Sequence, residues 1–338
     1  MGSLLSAAKV FGFSLVVANV VRHRAQAVPL FLGLALAPHF TMVTQRQRLD
    51  QINLELERGV QSDALRFGGE EIGNANGLAA GANNGLLGCV FAFLIIRRRL
   101  LRWLPLAMVP GLLYYVSRMG SRTGLAMVVV MAVGFWFLHI REISRSRPSM
   151  RIGGIVLLVV MLLGVGVWLI TSPFAYRFAD VGSQYKEGRL QLVLAALGMF
   201  AQSPILGHGI RGFQSAGLKL VVTHNLPTEI LVWGGLPAFL LYYGAWFILI
   251  RMLWRLRRQL LSAGDRAAVN MMLLVCILYH GHSMTGSTVA SRIPWLAVGA
   301  CVGLAYGLQE KLLAAREQAA GRRDSEMAQW ADQSPPPV

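Results

Sequence analysis

Apolar residues in this chain arrive in blocks, without the alternation of a half-buried strand or the one-sided stripe of a soluble helix. The blocks fall at residues 4–21, 26–43, 77–96, 103–116, 123–140, 153–171, 229–250, 267–284 and 293–308. Most have about the 20 residues with which a helix crosses roughly 30 Å of hydrocarbon. The pattern predicts an all-α integral membrane protein with about nine transmembrane helices; Lys9 interrupts the first block. Two long polar stretches separate blocks, at 44–76 and 172–228. Within the second, Leu190, Leu192, Val193, Leu197 and Phe200 recur at helical spacing, so residues 188–202 are expected to form a helix lying at the interface. The membrane domain takes in residues 1–313. The polar remainder, 314–338, ends in Pro335-Pro336-Pro337 and is expected to be a disordered cytoplasmic tail.

Composition agrees: 55% of residues are hydrophobic and only 14% charged, against about a quarter charged in a soluble domain. Charge placement adds direction. The net charge of +16 suggests nucleic acid, but the arginines cluster at block ends: Arg97, Arg98, Arg99 and Arg102; Arg141, Arg145, Arg147 and Arg151; Arg251, Arg255, Arg257 and Arg258. Cytoplasmic anchors are distributed in this way, and no basic patch sits on a soluble domain, so nucleic-acid binding is excluded. With Arg22, Arg24 and the tail also inside, nine crossings alternate and leave 44–76, 117–122, 172–228 and 285–292 on the outer face. Residue 1 is then outside, which fits either upstream helices missing from this chain or a first block that is no span. Cys89, Cys276 and Cys301 lie inside apolar blocks and show neither metal nor disulfide spacing.

The outer face carries arginines that a topological anchor does not explain: Arg66, Arg118, Arg122, Lys186 with Arg189, and Arg211. A planar guanidinium suits phosphate oxygens, so arginines converging in the fold would make a diphosphate site; a solvated or headgroup-facing surface is the other reading. The glycine-rich run from Ser203 to Phe213 could offer backbone N–H groups to an anion. His224 precedes a helix that starts near Pro227. The positive helix end there disfavours imidazolium, so His224 is the candidate acid–base group, with His280, His282 and His208 as weaker rivals. Neither an Asp-x-Asp pair nor a His-x-x-x-His stands on an outer segment, so no metal or cofactor is expected.

Four motifs follow in order: Asn74-Ala75-Asn76-Gly77-Leu78-Ala79 before a span; Gly120-Ser121-Arg122-Thr123-Gly124 in a turn; Gly188-Arg189, then Ser203-Pro204-Ile205-Leu206-Gly207-His208-Gly209 and Phe213; and His224-Asn225, nine residues, then Gly235. Their order and spacing, over about residues 66–240, resemble the O-antigen ligase superfamily, which includes O-antigen polymerases and ligases. Two positions depart: Ala238 stands where relatives have Gly, Thr or Tyr, and Trp233 where many have an acid. Relatives usually have about twelve spans, so nine with an outside start implies three fewer at the N-terminus.

The resemblance implies a metal-independent membrane glycosyltransferase of GT-C-like architecture in the bacterial inner membrane. A glycan on undecaprenyl diphosphate would pass, on the periplasmic face, to an acceptor hydroxyl on lipid A–core, another lipid-linked repeat or another acceptor such as a protein. By motif, His224 is the general base and Arg122 and Arg189 hold the diphosphate. Arg66 and Arg211 assist, and Asn76 and Asn225 belong to the substrate-binding set. Two other readings stand beside this one: a transporter or flippase for a lipid-linked sugar, and an inactive truncated relative. Transporters place charged or broken helices at the bilayer midplane, whereas these blocks are nearly free of internal charge.

Overall fold

The computed structural model describes residues 12–45, 75–96, 100–118, 121–145, 185–215, 225–259, 262–284 and 292–332, with a few isolated positions between them. They form helices and turns, with no strand among the described residues. The principal helices are residues 12–20 (α1), Arg24–Thr44 (α2), Ala75–Ile95 (α3), Val109–Arg118 (α4), Arg122–Arg145 (α5), Tyr185–Gln202 (α6), Leu226–Gln259 (α7), Ala263–Ser283 (α8) and Arg292–Asp332 (α9). Five of them, α2, α3, α5, α7 and α9, are long and apolar enough to cross a membrane. The described residues are those of an all-α membrane protein.

Most blocks match a helix. Two differ from expectation. The block at 103–116 is not one span: a 3-10 turn at Leu101–Trp103, a short helix at Leu104–Ala107 and α4 succeed one another. Pro105 and Pro110 explain this, because proline gives no N–H to the helix and disfavours helical backbone in the residue before it. The tail, expected to be disordered, is helical as far as Asp332. Its alanines, arginines, glutamates and glutamines are good helix formers, and no proline occurs before Pro335. The helix expected over residues 188–202 is present as α6. The block at 153–171 lies almost wholly outside the described residues.

Lipid tails are as apolar as leucine, so helices in a membrane associate by close backbone approach at small residues. α3 is the axis: 72% of its apolar window is buried, against 11% for α7 at the periphery. It runs antiparallel to α2, with Gly85 against Ala35 and Gly88 against Phe31; a Cβ on Gly85 would lie 2.8 Å from the Ala35 Cα. α1 and α9 run parallel. Gly299, Gly303 and Gly307, one turn apart, lie against the backbone oxygens of Ser14, Ala18 and Arg22, and the Ser14 hydroxyl donates to the Trp295 carbonyl at 3.0 Å.

Pairings of this kind orient the principal helices other than α6. α7 and α8 are antiparallel, with Asn225 near Met284, Tyr242 near Tyr279 and Arg257 near Asn270. The bundle therefore has two ends. Asn76, Ser121, Arg122, Asn225 and His282 gather at one. Arg22, His23, Arg257, Asp265 and Lys311 gather at the other, where Arg257 donates to Asn270 Oδ1 at 2.7 Å and to the Leu138 carbonyl at 2.6 Å, tying α7 to α8 and α5.

The α1–α9 seam leaves no room for a side chain at its centre. Gly303→Val should destabilise the detergent-solubilised protein by about 1–3 kcal/mol, the usual cost of overpacking, while Gly321→Ala, in open space, should leave it unchanged. Equal thermal unfolding of both variants would contradict the close packing of α1.

Candidate functional site

Two joints build the end that holds Arg122. The first ties α3 to α5. Ser121 is the N-cap of α5: the Gly124 N–H donates to its Oγ at 3.0 Å and the Leu125 N–H to its carbonyl at 3.1 Å. The buried Ser121 hydroxyl in turn donates to Asn76 Oδ1 at 2.7 Å, in the first turn of α3. Gly124 has no room for a side chain, since a Cβ there would lie 2.6 Å from that of Ala79. The Asn-Gly-Leu-Ala and Ser-Arg-Thr-Gly motifs are thus two halves of one contact. Arg122, half-buried, is the first residue of α5 beside it.

One turn deeper, Asn83 donates from Nδ2 to the Gly124 carbonyl at 2.9 Å and lies 3.2 Å from His282 Nε2, which makes that nitrogen the acceptor. Both side chains are buried. The bond carries the joint to α8. Two residues on, the Met284 carbonyl faces Asn225 Nδ2 at 3.5 Å. Asn225 caps α7: the Thr228 N–H donates to its Oδ1 at 3.2 Å and the Glu229 N–H to its carbonyl at 3.1 Å. The N-termini of α3, α5 and α7 therefore share one end of the bundle, and each such terminus carries partial positive charge.

The second joint lies in α7. Its helix is broken at Gly234 and Gly235, and Gly235 has φ +64° and ψ −162°, a conformation that glycine alone adopts readily. Pro237 has no N–H for the Trp233 carbonyl, and the Leu236 N–H has turned away from the Val232 carbonyl. The loop from Ser203 to Gly212 replaces both bonds. The His208 N–H donates to the Val232 carbonyl at 2.6 Å, the Gly209 N–H to the Trp233 carbonyl at 2.9 Å, and the Leu236 N–H to the Pro204 carbonyl at 2.8 Å. Gly207, at φ +65°, and Gly235 lie backbone to backbone. Ser203 Oγ donates to the Gly207 carbonyl at 2.9 Å, and His208 Nε2 reaches the Met199 carbonyl at 2.7 Å. Ala196, Met199, Phe213 and Val232 close over the joint as a small apolar core.

This corrects the expectation that the loop offers amides to an anion. The N–H groups of Gly207, His208, Gly209 and Gly212 all have backbone partners, because a broken helix must find donors for its freed carbonyls. The nine residues between Asn225 and Gly235 are the helical segment from the cap to the break.

The expected site residues are distributed unevenly. Asn76, Arg122 and Asn225 are brought to one end of the bundle. Arg211 is exposed on the clamp loop, and no described contact joins it to them. Arg189 is in α6, which packs against α7; its side chain, with Arg66 and His224, lies outside the described residues. His208 belongs to the clamp. His280 Nδ1 donates to the Cys276 carbonyl at 2.8 Å, and the ring packs edge-on against Trp246, 4.7 Å away. Sequence reasoning passed over Asn83, although an Asn-Asn pair inside an apolar span is itself a functional signal. Among the described residues no group of His, Cys, Asp and Glu is arranged to hold a metal ion. No family model matches the chain, and no curated protein matches it either.

A Cβ on Gly235 would meet the carbonyls of Ile205 and Pro204 besides straining the backbone. Gly235→Ala should lower stability by at least about 1–3 kcal/mol, and Gly244→Ala, in open space on the same helix, should not. A Gly235→Ala protein that melts with wild type would remove the clamp from this account.

Proposed function

We propose that this protein is a metal-independent glycan transferase of the O-antigen ligase or polymerase type. It would span the bacterial inner membrane about nine times in a GT-C-like architecture, with the Arg122 end facing the periplasm and the Lys311 end the cytoplasm. The observation that carries this reading is the meeting of Asn76, Ser121-Arg122 and Asn225, from three distant stretches of chain, at one end of the bundle. Three helix N-termini and an arginine at one membrane face suit a ligand with a diphosphate group.

In the proposed reaction a glycan leaves undecaprenyl diphosphate for an acceptor hydroxyl. His224, next to the cap Asn225, takes the hydroxyl proton as the oxygen attacks the anomeric carbon. The bond from that carbon to the diphosphate oxygen breaks, and Arg122 and Arg189 stabilise the charge that develops on the departing diphosphate. Arg66 and Arg211 assist. The broken helix α7 is the feature a flippase would share, since transporters bind cargo at unwound backbone. Here the freed groups are bonded to the 203–212 loop, which favours the enzyme.

The test is transfer by the purified protein from a lipid-linked repeat, each acceptor class offered in turn. His224→Ala should keep donor binding and lose about 10²–10⁴-fold in rate, the worth of a positioned base. Arg122→Lys and Arg189→Lys should insert normally yet transfer poorly, because a point charge lacks the two-pronged fit. Transfer should also persist in EDTA. Wild-type rates in His224→Ala would end the general-base assignment, and a requirement for a divalent ion would end the metal-independent mechanism.

A further inference from the structure

The break in α7 sets the level of the clamp loop. Asn225 meets the Met284 carbonyl, and the Tyr242 and Tyr279 hydroxyls meet at 2.6 Å. From Tyr279 to Met284 α8 rises about 8 Å, whereas a straight α7 would cover about 25 Å from Asn225 to Tyr242. α7 therefore folds over at its break, and residues 226–233 run across the end of the bundle. Gly235 is about 10 Å along the helix from Tyr242, close to the level at which α8 ends. α8 has 21 residues, and its length of about 31 Å matches the hydrocarbon thickness. The clamp loop, bonded to Val232, Trp233 and Leu236, thus sits at the boundary of the membrane.

What the loop exposes there is apolar. Leu206 is 82% exposed and Ile205 67% exposed, and Ile210 is exposed beside Arg211. α6 has apolar residues on two faces, and packing assigns them. Ala196 and Met199 fill the small core with Phe213 and Val232. On the opposite face Leu190, Leu194 and Leu197 are exposed at spacings of four and three, a single stripe. Gln191 and Gln202, also exposed, lie about 100° around the helix from that stripe and form a polar edge. The apolar surface is continuous with that of α7. Leu236, whose N–H is bonded to the Pro204 carbonyl, is exposed, and so are Leu240 and Leu241 one turn further on. Those residues belong to a peripheral span and face hydrocarbon. A surface that continues a lipid-facing helix at the membrane boundary, with a polar edge and an arginine at its rim, suits acyl chains and headgroups.

We propose that the clamp loop and the leucine stripe of α6 are inserted into the membrane leaflet at the Arg122 end. Lipid acyl chains are the partner of Leu194, Leu197, Ile205 and Leu206, and Arg211 stands among the headgroups. The inference rests on the membrane-spanning fold and is independent of the transferase reading. The test uses the full chain in phosphatidylcholine vesicles, with a nitroxide label on Leu194→Cys, Leu206→Cys or Gln191→Cys. All three positions are exposed, so the substitutions remove no core packing. Cys89, Cys276 and Cys301 are buried, and wild type treated in the same way gives their background. Relative to the label at 191, labels at 194 and 206 should collide severalfold more with oxygen, which concentrates in hydrocarbon, and less with a water-soluble nickel chelate. Two results would each overturn the proposal. The first is nickel-dominated collision at 194 or 206, which places that residue in water. The second is exclusion of both reagents, which means protein covers the surface. Spin–spin broadening relieved by unlabelled protein would then identify a second copy, and its absence another segment of the same chain.

Discussion

The break in α7 at Gly234–Gly235 is the constraint that binds α6, the 203–212 loop and α7 together. An interrupted helix frees carbonyls and an amide, and a buried backbone group without a partner costs about as much as a lost hydrogen bond. Three bonds from the 203–212 loop satisfy them. The repair is possible only because Gly207 and Gly235 let two backbones touch. It also has a mechanical result. The loop follows directly from α6, so α6, the clamp and the first segment of α7 become one unit. The residues attached to that unit, Arg189 on α6 and Asn225 at the cap of α7, inherit its geometry.

A second constraint governs the rest of the bundle. With hydrocarbon outside, helices gain little from burying leucine, and close approach must supply the attraction. α3 meets α2 through Gly85 and Gly88, meets α5 through Ala79 against Gly124, and reaches α8 through Asn83. The polar bonds at this centre are few but buried. Ser121 to Asn76 and Asn83 to Gly124 join helices whose apolar surfaces alone would leave their register loose. A hydrogen bond of this kind contributes only about 0.5–1.5 kcal/mol net. Its larger effect is specificity, because any other register would bury the same groups without partners.

The two ends divide the work. One gathers helix N-termini and the polar motif residues. The other gathers Arg257 on Asn270 and Leu138, and Lys311 on Asp265. The cation-rich end lies opposite the end to which the proposed chemistry is assigned.

Much of this was legible in the chain. Crossing hydrocarbon is a local demand that a run of about 20 apolar residues meets or fails by itself, so the positions of α2, α3, α5 and α9 follow from composition. Proline was legible but underused: Pro105 and Pro110 mark the broken helix at 101–118, and Pro237 marks the break in α7. The motif residues were visible, yet the roles of several were not. The run from Ser203 to Phe213 read as an anion loop until the Val232 and Trp233 carbonyls took the His208 and Gly209 amides, and Asn83 had no visible partner until α8 brought His282 beside it. Such roles depend on which backbones approach within a few ångströms. That depends on the packing of helices distant in sequence, so only the tertiary structure decides it.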